Sequence, residues 1–149
     1  MATHTAPPPH TDTVGLAVPF FWIASMDESL RFYVDGLGFR MTKNWIVGGK
    51  VRWCWLELGR TAIMLQQNSP GKAPEGKPGV GVSICYQCED ALAIYRKAMS
   101  RGITVQRPFV GNGMWVAQMN DPDGYNLSFQ SATDAPEESV LSEGVGSST

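Results

Sequence analysis

The chain has 149 residues, of which 43% are hydrophobic, 17% are charged and three are cysteines. This composition is typical of one globular domain whose core is large enough to fold without disulfide bonds. No apolar run approaches the roughly 20 residues of a membrane span, and the N-terminus lacks the basic and apolar regions of a secretory signal. We therefore expect a cytoplasmic protein with reduced thiols and no membrane partner.

The net charge of −2 conceals an uneven distribution. Five acidic residues lie near the two ends of the chain: Asp12, Asp134, Glu137, Glu138 and Glu143. Without them, nine acidic residues remain against twelve basic ones, so the body carries a mild positive charge. The basic residues do not cluster, which argues against a nucleic-acid partner.

The first half of the body predicts a strand, a helix and three more strands. An apolar run from Val14 to Ala24 is typical of a buried strand. Ser25 followed by Glu28 has the pattern of a capping box, and it predicts a helix from Met26 to Leu37. Strands are predicted over 39–46, 50–58 and 61–67, with Gly-containing turns between them.

The same order is predicted again in the second half. A strand is expected over 80–86, a helix over 89–101, and strands over 103–108, over 114–119 and from residue 125 onward. Ser29–Tyr33 also matches Ala91–Tyr95, 62 positions later. We interpret the body as two βαβββ modules, residues 14–67 and 80–131, joined by a Pro- and Gly-rich linker over 68–79. Residues 1–13, with three consecutive prolines, predict a flexible arm, and residues 132–149 a polar tail.

The stretch Asp121-Pro122-Asp123-Gly124 introduces the last predicted strand. Proline and glycine at these positions favour a tight turn. After it, Asn126, Ser128 and Gln130 alternate with apolar residues, so one face of the strand is wholly polar.

The double module, the sequence SLRFYVDGLGF after the first strand and DPDG before the last resemble the vicinal oxygen chelate superfamily, which includes glyoxalases, bleomycin resistance proteins and dioxygenases. The resemblance covers residues 14–131. It implies an α+β fold in which two βαβββ modules form a cupped mixed sheet, the site being inside the cup. It also implies pairing within or between chains, so we expect a homodimer.

The resemblance further implies four metal-ligand positions in the metal-dependent members. They correspond to Val18, Met64, a residue near Gly81 and Ser128. None of these side chains is a ligand suited to a divalent metal. Both histidines, His4 and His10, lie in the predicted arm. We therefore expect no metal site and no cofactor.

Two other groups of residues are candidate chemical sites. Cys85 and Cys88 form a C-x-x-C at a strand-to-helix junction, which fits either a redox pair or two structural thiols. Glu57, alone on its predicted strand, fits either a general acid–base or a salt-bridged surface position.

Strand parity places a set of aromatic, thioether, amide and hydroxyl side chains on the face of the cup. The predicted ligand-binding residues are Val18, Phe20, Trp22, Met64, Gln66, Asn126 and Ser128. The resemblance then suggests a metal-free protein that binds a small, partly aromatic molecule or an antibiotic. Three alternatives remain open: a lyase, isomerase or dioxygenase-like enzyme with an atypical or absent metal site, a structural or regulatory partner domain, and use of the same face as a dimer interface.

Overall fold

The structure of the protein is a computed structural model that describes Ala6 and residues 13–142. Its eight strands and two helices follow the predicted βαβββ–βαβββ order. In the first module they are β1 (Phe20–Ile23), α1 (Met26–Leu30, continued by a π-helical stretch Arg31–Gly36), β2 (Arg40–Val47), β3 (Lys50–Leu58) and β4 (Thr61–Gln67). In the second they are β5 (Ser83–Gln87), α2 (Ala91–Ser100), β6 (Phe109–Gly111), β7 (Met114–Asn120) and β8 (Asn126–Ala132).

Each module forms its own four-stranded mixed sheet. The first sheet has the order β1-β4-β3-β2 and the second β5-β8-β7-β6. In each sheet the first strand runs parallel to the last, and the other pairs are antiparallel. The predicted α+β class and the two-module architecture are therefore confirmed.

The two modules share one hydrophobic core. It includes Ile23, Leu56 and Leu65 from the first sheet together with Leu127 and Phe129 from the second. Since these residues lie on the helix-covered faces, the opposite face of each sheet points away from the core. Each sheet therefore keeps one open face. The strand β1 forms one edge of the first sheet, and β5 forms the equivalent edge of the second.

Both helices begin at the side-chain caps that their sequences predict. Ser25 Oγ accepts a hydrogen bond from the Glu28 N–H, and Asp90 Oδ1 accepts one from the Ala93 N–H. The first helix changes to π geometry after Leu30, where the Leu37 N–H bonds to the Phe32 carbonyl five residues back. The π turn accommodates one residue more than an α-helical turn.

Two predicted strands are misplaced. The first begins at Phe20 and not at Val14, because Pro19 has no N–H to give to a ladder; Val14 is 86% exposed. In the second module the predicted strand 103–108 is irregular, and the observed strand follows Pro108.

The predicted tail is in part ordered against the body. Val140 forms a bridge with Phe109, and the Leu141 N–H bonds to the Pro108 carbonyl. Leu141 is buried in the core cluster. Residues 132–142 therefore cover the outer edge of β6. None of the helices in the described part of the chain is long and apolar enough to cross a membrane.

Candidate ligand-binding faces

The open face of the first sheet carries five aromatic side chains, which we call the aromatic face: Phe20, Trp22, Trp45, Trp53 and Trp55. The strand registers place them in two adjacent rows. One row runs across the sheet through Trp22, Gln66, Trp53 and Trp45. The next runs through Phe20, Met64, Trp55 and Lys43. Every second residue of each strand contributes to this face.

The aromatic face is accessible to solvent. Phe20 and Trp22 are each 41% exposed and Trp45 is 55% exposed. The rings of Phe20 and Trp22 lie edge to face at 5.6 Å. The Lys43 ammonium lies 4.7 Å from the centre of the Trp55 ring, in cation–π geometry. The face therefore combines stacking surface with a cation at its border.

The open face of the second sheet is polar. Its amide and hydroxyl side chains, which we call the polar face, are Ser83, Gln87, Gln118, Asn120, Asn126, Ser128 and Gln130. They bond to one another along and across the strands. The Ser83 hydroxyl donates to Asn126 Oδ1 at 2.8 Å, and Gln87 Nε2 donates to Gln130 Oε1 at 3.0 Å. These bonds fix the amides while leaving spare donors and acceptors on several of them.

Ser128 is more enclosed than its neighbours on the polar face. It is only 1% exposed, and its Oγ accepts a hydrogen bond from Gln130 Nε2 at 3.2 Å. Within this chain, the contribution of Ser128 to the polar face is that it orients the Gln130 amide.

The predicted ligand-binding residues fall into two groups in the structure. Phe20 pairs with Met64 and Trp22 with Gln66, so these four lie together on the open face of the first sheet. Val18 precedes β1, and Asn126 and Ser128 lie on the polar face of the second sheet. A single chain does not join the two groups, because the shared core lies between the sheets.

Sequence reasoning did not assign Trp45, Trp53 or Trp55 to the candidate site. Trp53 and Trp55 have the same parity, and the short turn at Gly59-Arg60 fixes their register against β4. The Gly59-Arg60 turn is therefore the feature of the sequence from which Trp53 and Trp55 could have been assigned to this face. Trp115 pairs with Ser131 on the helix-covered face, so it does not belong to the site.

The four positions at which the superfamily places metal ligands do not fit a metal here. Met64 and Ser128 lie on the open faces of different sheets, and Val18 offers no donor atom. Gly81 lies in a turn before β5, and the first residue of β5 on the polar face is Ser83. The described residues contain no group of three His, Cys, Asp or Glu side chains that could hold a metal ion. His4 and His10 lie outside the described residues.

Cys88, the more buried member of the cysteine pair, does not have the environment of a reactive thiol. Cys85 is exposed on the edge strand, and Cys88 is half-buried with its Sγ donating to the Gln130 carbonyl at 3.3 Å. Burial raises the pKa of the Cys88 thiol, whereas redox cysteines need a lowered pKa. Cys54 is buried in the core, and burial raises its pKa to about 11. The geometry favours structural thiols.

Glu57 lies on the open face of the first sheet, opposite Arg40 on the neighbouring strand. It is half-buried and has no second carboxylate beside it in the strand register. This position suits a charged border of the aromatic face better than an acid–base pair.

The DPDG turn links the two modules, and we call Asp121, Asp123 and Tyr125 the inter-module clasp. The Tyr33 hydroxyl donates to Asp121 Oδ2 at 2.7 Å. The Ala24 N–H donates to Asp123 Oδ1 at 2.8 Å, and the Tyr125 hydroxyl donates to the Trp22 carbonyl at 2.8 Å.

Burial sets the electrostatics of the clasp. It raises the pKa of Asp121, and the hydrogen bonds from the Tyr33 hydroxyl and from backbone N–H groups lower that pKa only in part. Burial, together with the Asp121 charge, also raises the pKa of Tyr33, which therefore stays a hydrogen-bond donor. The clasp is a structural element and not a catalytic pair, because each of its polar groups already has a partner.

The fold and the open faces define a two-module α+β protein with exposed sheet surfaces. A family model of the Glyoxalase/Bleomycin resistance protein/Dioxygenase superfamily matches residues 10–129. The chain therefore belongs to this superfamily.

Several solved structures share the fold. The crystal structure of UcmS2 is 20% identical, with a TM-score of 0.66, and the match covers 80% of this chain and 98% of that one. The structure of a bleomycin-binding protein complexed with bleomycin is 23% identical, with a TM-score of 0.61 and coverage of 80% and 100%. TnmS3, an antibiotic-binding protein from Streptomyces sp. CB03234, is 19% identical, with a TM-score of 0.61 and coverage of 82% and 100%. No curated protein matches the chain.

Proposed function

We propose that this protein binds a small, partly aromatic, neutral or anionic organic molecule, that it does so without a metal, and that a second copy of the chain completes the site. The observation that carries the proposal is the aromatic face. Exposed tryptophans cost solvation free energy in a monomer, and they are the side chains most enriched at binding hot spots. Two of the similar structures are proteins described as binding bleomycin or an antibiotic, which supports the same class of function.

The charge of the face favours the proposed ligand class. Lys43 and Arg40 lie along its β2 border, and Glu57 is the single acidic side chain that the strand registers place among them. A neutral or anionic ligand meets no net repulsion there, whereas a cationic ligand does. Amides on the polar face add hydrogen bonds without the cost of burying an unpaired charge.

The two open faces support homodimerisation. The aromatic face keeps its exposure within one chain, and the amides of the polar face lie on the other side of the shared core. A two-fold axis would place the aromatic face of each copy opposite the polar face of the other and would create two equal sites. We expect a solution mass of twice the 16.3 kDa of one chain.

The test is calorimetric titration against a panel of aromatic metabolites and antibiotics, with the ligand then recovered for mass spectrometry. For any compound that binds, Trp22→Ala is expected to cost about 2–3 kcal/mol of binding free energy. Trp22→Phe, which keeps a ring, is expected to cost less. Ser128→Ala is expected to cost about 1 kcal/mol, because it releases the Gln130 amide.

Val80→Ala serves as the control, because Val80 is 76% exposed and lies outside both faces. Native affinity in both Trp22→Ala and Ser128→Ala would contradict the proposed site. Recovery of a chemically altered ligand would indicate an enzyme and not a binding protein. A monomeric mass in the presence of ligand would contradict the shared site.

A further inference from the structure

The duplicated fold presents the same strand edge twice, at β1 and at β5. The registers define the equivalent residues. Phe20 pairs with Met64 as Cys85 pairs with Ser128, so Phe20 corresponds to Cys85. By the same step, Phe21 corresponds to Tyr86 and Trp22 to Gln87. The equivalent residues of β1 and β5 are therefore 65 positions apart.

The edge of β1 is closed by the clasp of the second module. The Tyr125 ring stacks on Phe21 with the ring centres 4.0 Å apart and the planes 2° apart. Its hydroxyl donates to the Trp22 carbonyl at 2.8 Å, and Asp123 accepts from the Ala24 N–H. An aromatic ring, a phenol and a carboxylate therefore fill this edge.

The equivalent edge of β5 is open. The segment that faces it is Leu58-Gly59-Arg60-Thr61, which is the Gly59-Arg60 turn with one strand residue on either side. Counted by strand register it is one residue shorter than the Asp121–Tyr125 segment, with Thr61 in the place of Tyr125. A cavity of about 560 Å³ lies there, lined by all four residues of Leu58–Thr61 and by 85–88 of the edge strand. Tyr86, the counterpart of Phe21, also borders the cavity; it is 6% exposed and its ring stacks on Phe129 with the ring centres 4.8 Å apart. The volume falls within the range of small-molecule sites, about 300–1,000 Å³.

The charge at this cavity has one sign. Arg60 from the turn and Lys97 from α2 line it, and the described residues that line it include no Asp or Glu. Neither cation forms an ion pair with another described residue. Where the other module places the carboxylate of Asp123, this module places the cationic side chains of Arg60 and Lys97.

We propose that the inter-module cavity binds a small aromatic acid with a phenolic hydroxyl. Its ring takes the place of the Tyr125 ring, beside Tyr86. Its hydroxyl donates to the outward-facing carbonyl of Gln87, as Tyr125 does to the Trp22 carbonyl. Its carboxylate lies at the turn, between Arg60 and Lys97. This site is separate from the aromatic face and does not rest on the function proposed above.

The probe is 4-hydroxyphenylacetate, followed by ¹⁵N NMR and calorimetry on the full chain. We expect saturable binding at one site per chain, with the largest amide shifts at Gly59 and Gln87. Arg60→Gln with Lys97→Gln is expected to weaken binding by at least roughly tenfold, and phenylacetate, which lacks the hydroxyl, to bind roughly fivefold more weakly. Thr61→Tyr supplies the missing ring from the chain itself and is expected to abolish binding.

Matched controls distinguish the cavity from the rest of the surface. Thr42→Tyr adds the same ring at an exposed position of β2, and Lys50→Gln with Lys72→Gln removes two cations elsewhere; both are expected to leave binding unchanged. Trp22→Ala is expected to leave it unchanged as well, which distinguishes the cavity from the aromatic face. The absence of saturable binding by the native chain would overturn the proposal. Binding that persists in the Arg60 and Lys97 double variant at native affinity would also overturn it, whether or not Thr61→Tyr folds.

Discussion

Tyr33→Phe is the sharpest test of the clasp between the modules. The Tyr33 hydroxyl is the side-chain donor to the buried carboxyl of Asp121, and the two residues are 88 positions apart. A hydrogen bond to a charged group stabilises a fold by about 1.5–3 kcal/mol. We therefore expect Tyr33→Phe to lower the free energy of unfolding by about 2 kcal/mol at pH 7. For a chain of this length that corresponds to a Tm lower by roughly 4–8 °C.

Tyr86→Phe is the matched control. Tyr86 is also a buried tyrosine, but its hydroxyl has no hydrogen-bond partner among the described residues. Removing an unsatisfied buried hydroxyl is expected to leave the stability unchanged or to raise it slightly. Urea unfolding followed by tryptophan fluorescence measures both variants. Equal losses in the two variants would refute the assigned role of the Tyr33–Asp121 bond.

The effect of Tyr33→Phe should depend on pH in a defined direction. Burial raises the folded pKa of Asp121 above its ordinary 3.8. Between pH 3.8 and the folded pKa, the folded chain therefore keeps a proton that the unfolded chain has released. The free energy of unfolding falls as the pH rises through this range. Tyr33→Phe removes a bond that lowers this pKa, so the destabilisation extends to higher pH. We expect the loss to be smaller at about pH 4 than at about pH 7, and a loss independent of pH would contradict this reasoning.

Two further predictions concern the thiols and the metal. Cys85 should react first with a thiol reagent in the native protein. Cys54 should react only on unfolding, because it is buried and its pKa is about 11. Mass mapping after partial labelling measures the order of reaction, and early labelling of Cys54 would contradict its place in the core. The purified protein should carry less than one equivalent of zinc, nickel, iron or manganese by elemental analysis, because Val18, Met64, Gly81 and Ser128 do not form a ligand set. Stoichiometric metal that persists after residues 1–13 are removed would contradict this.

Part of the fold was readable from the sequence because turn residues mark its boundaries. Gly48-Gly49 and Gly59-Arg60 delimit β3 and β4, and both strands have the predicted bounds. The run from Val14 to Ala24 contains no turn of this kind, and there the strand start was predicted six residues too early.

The candidate site was less predictable than the fold. Parity grouped Phe20 with Trp22, but it did not show that Asn126 belongs to the other sheet. The relative position of the two sheets depends on packing contacts between their helix-covered faces. Those contacts join side chains that are far apart in sequence, so the strand pattern does not predict them. The inter-module cavity was equally hidden, since the residues that line it come from both modules and are far apart in sequence.

The clasp also imposes an order on how the protein folds. Its hydrogen bonds join Ala24 to Asp123 and Trp22 to Tyr125, across 99 and 103 positions. During synthesis the first module leaves the ribosome with the edge of β1 uncovered, and that edge stays open until the last hairpin has emerged. Contacts of such large sequence separation slow folding and prolong the exposure of strand edges. The last hairpin thus covers the edge of the first strand, and chains that terminate before Asp121 should bind chaperones or aggregate through β1.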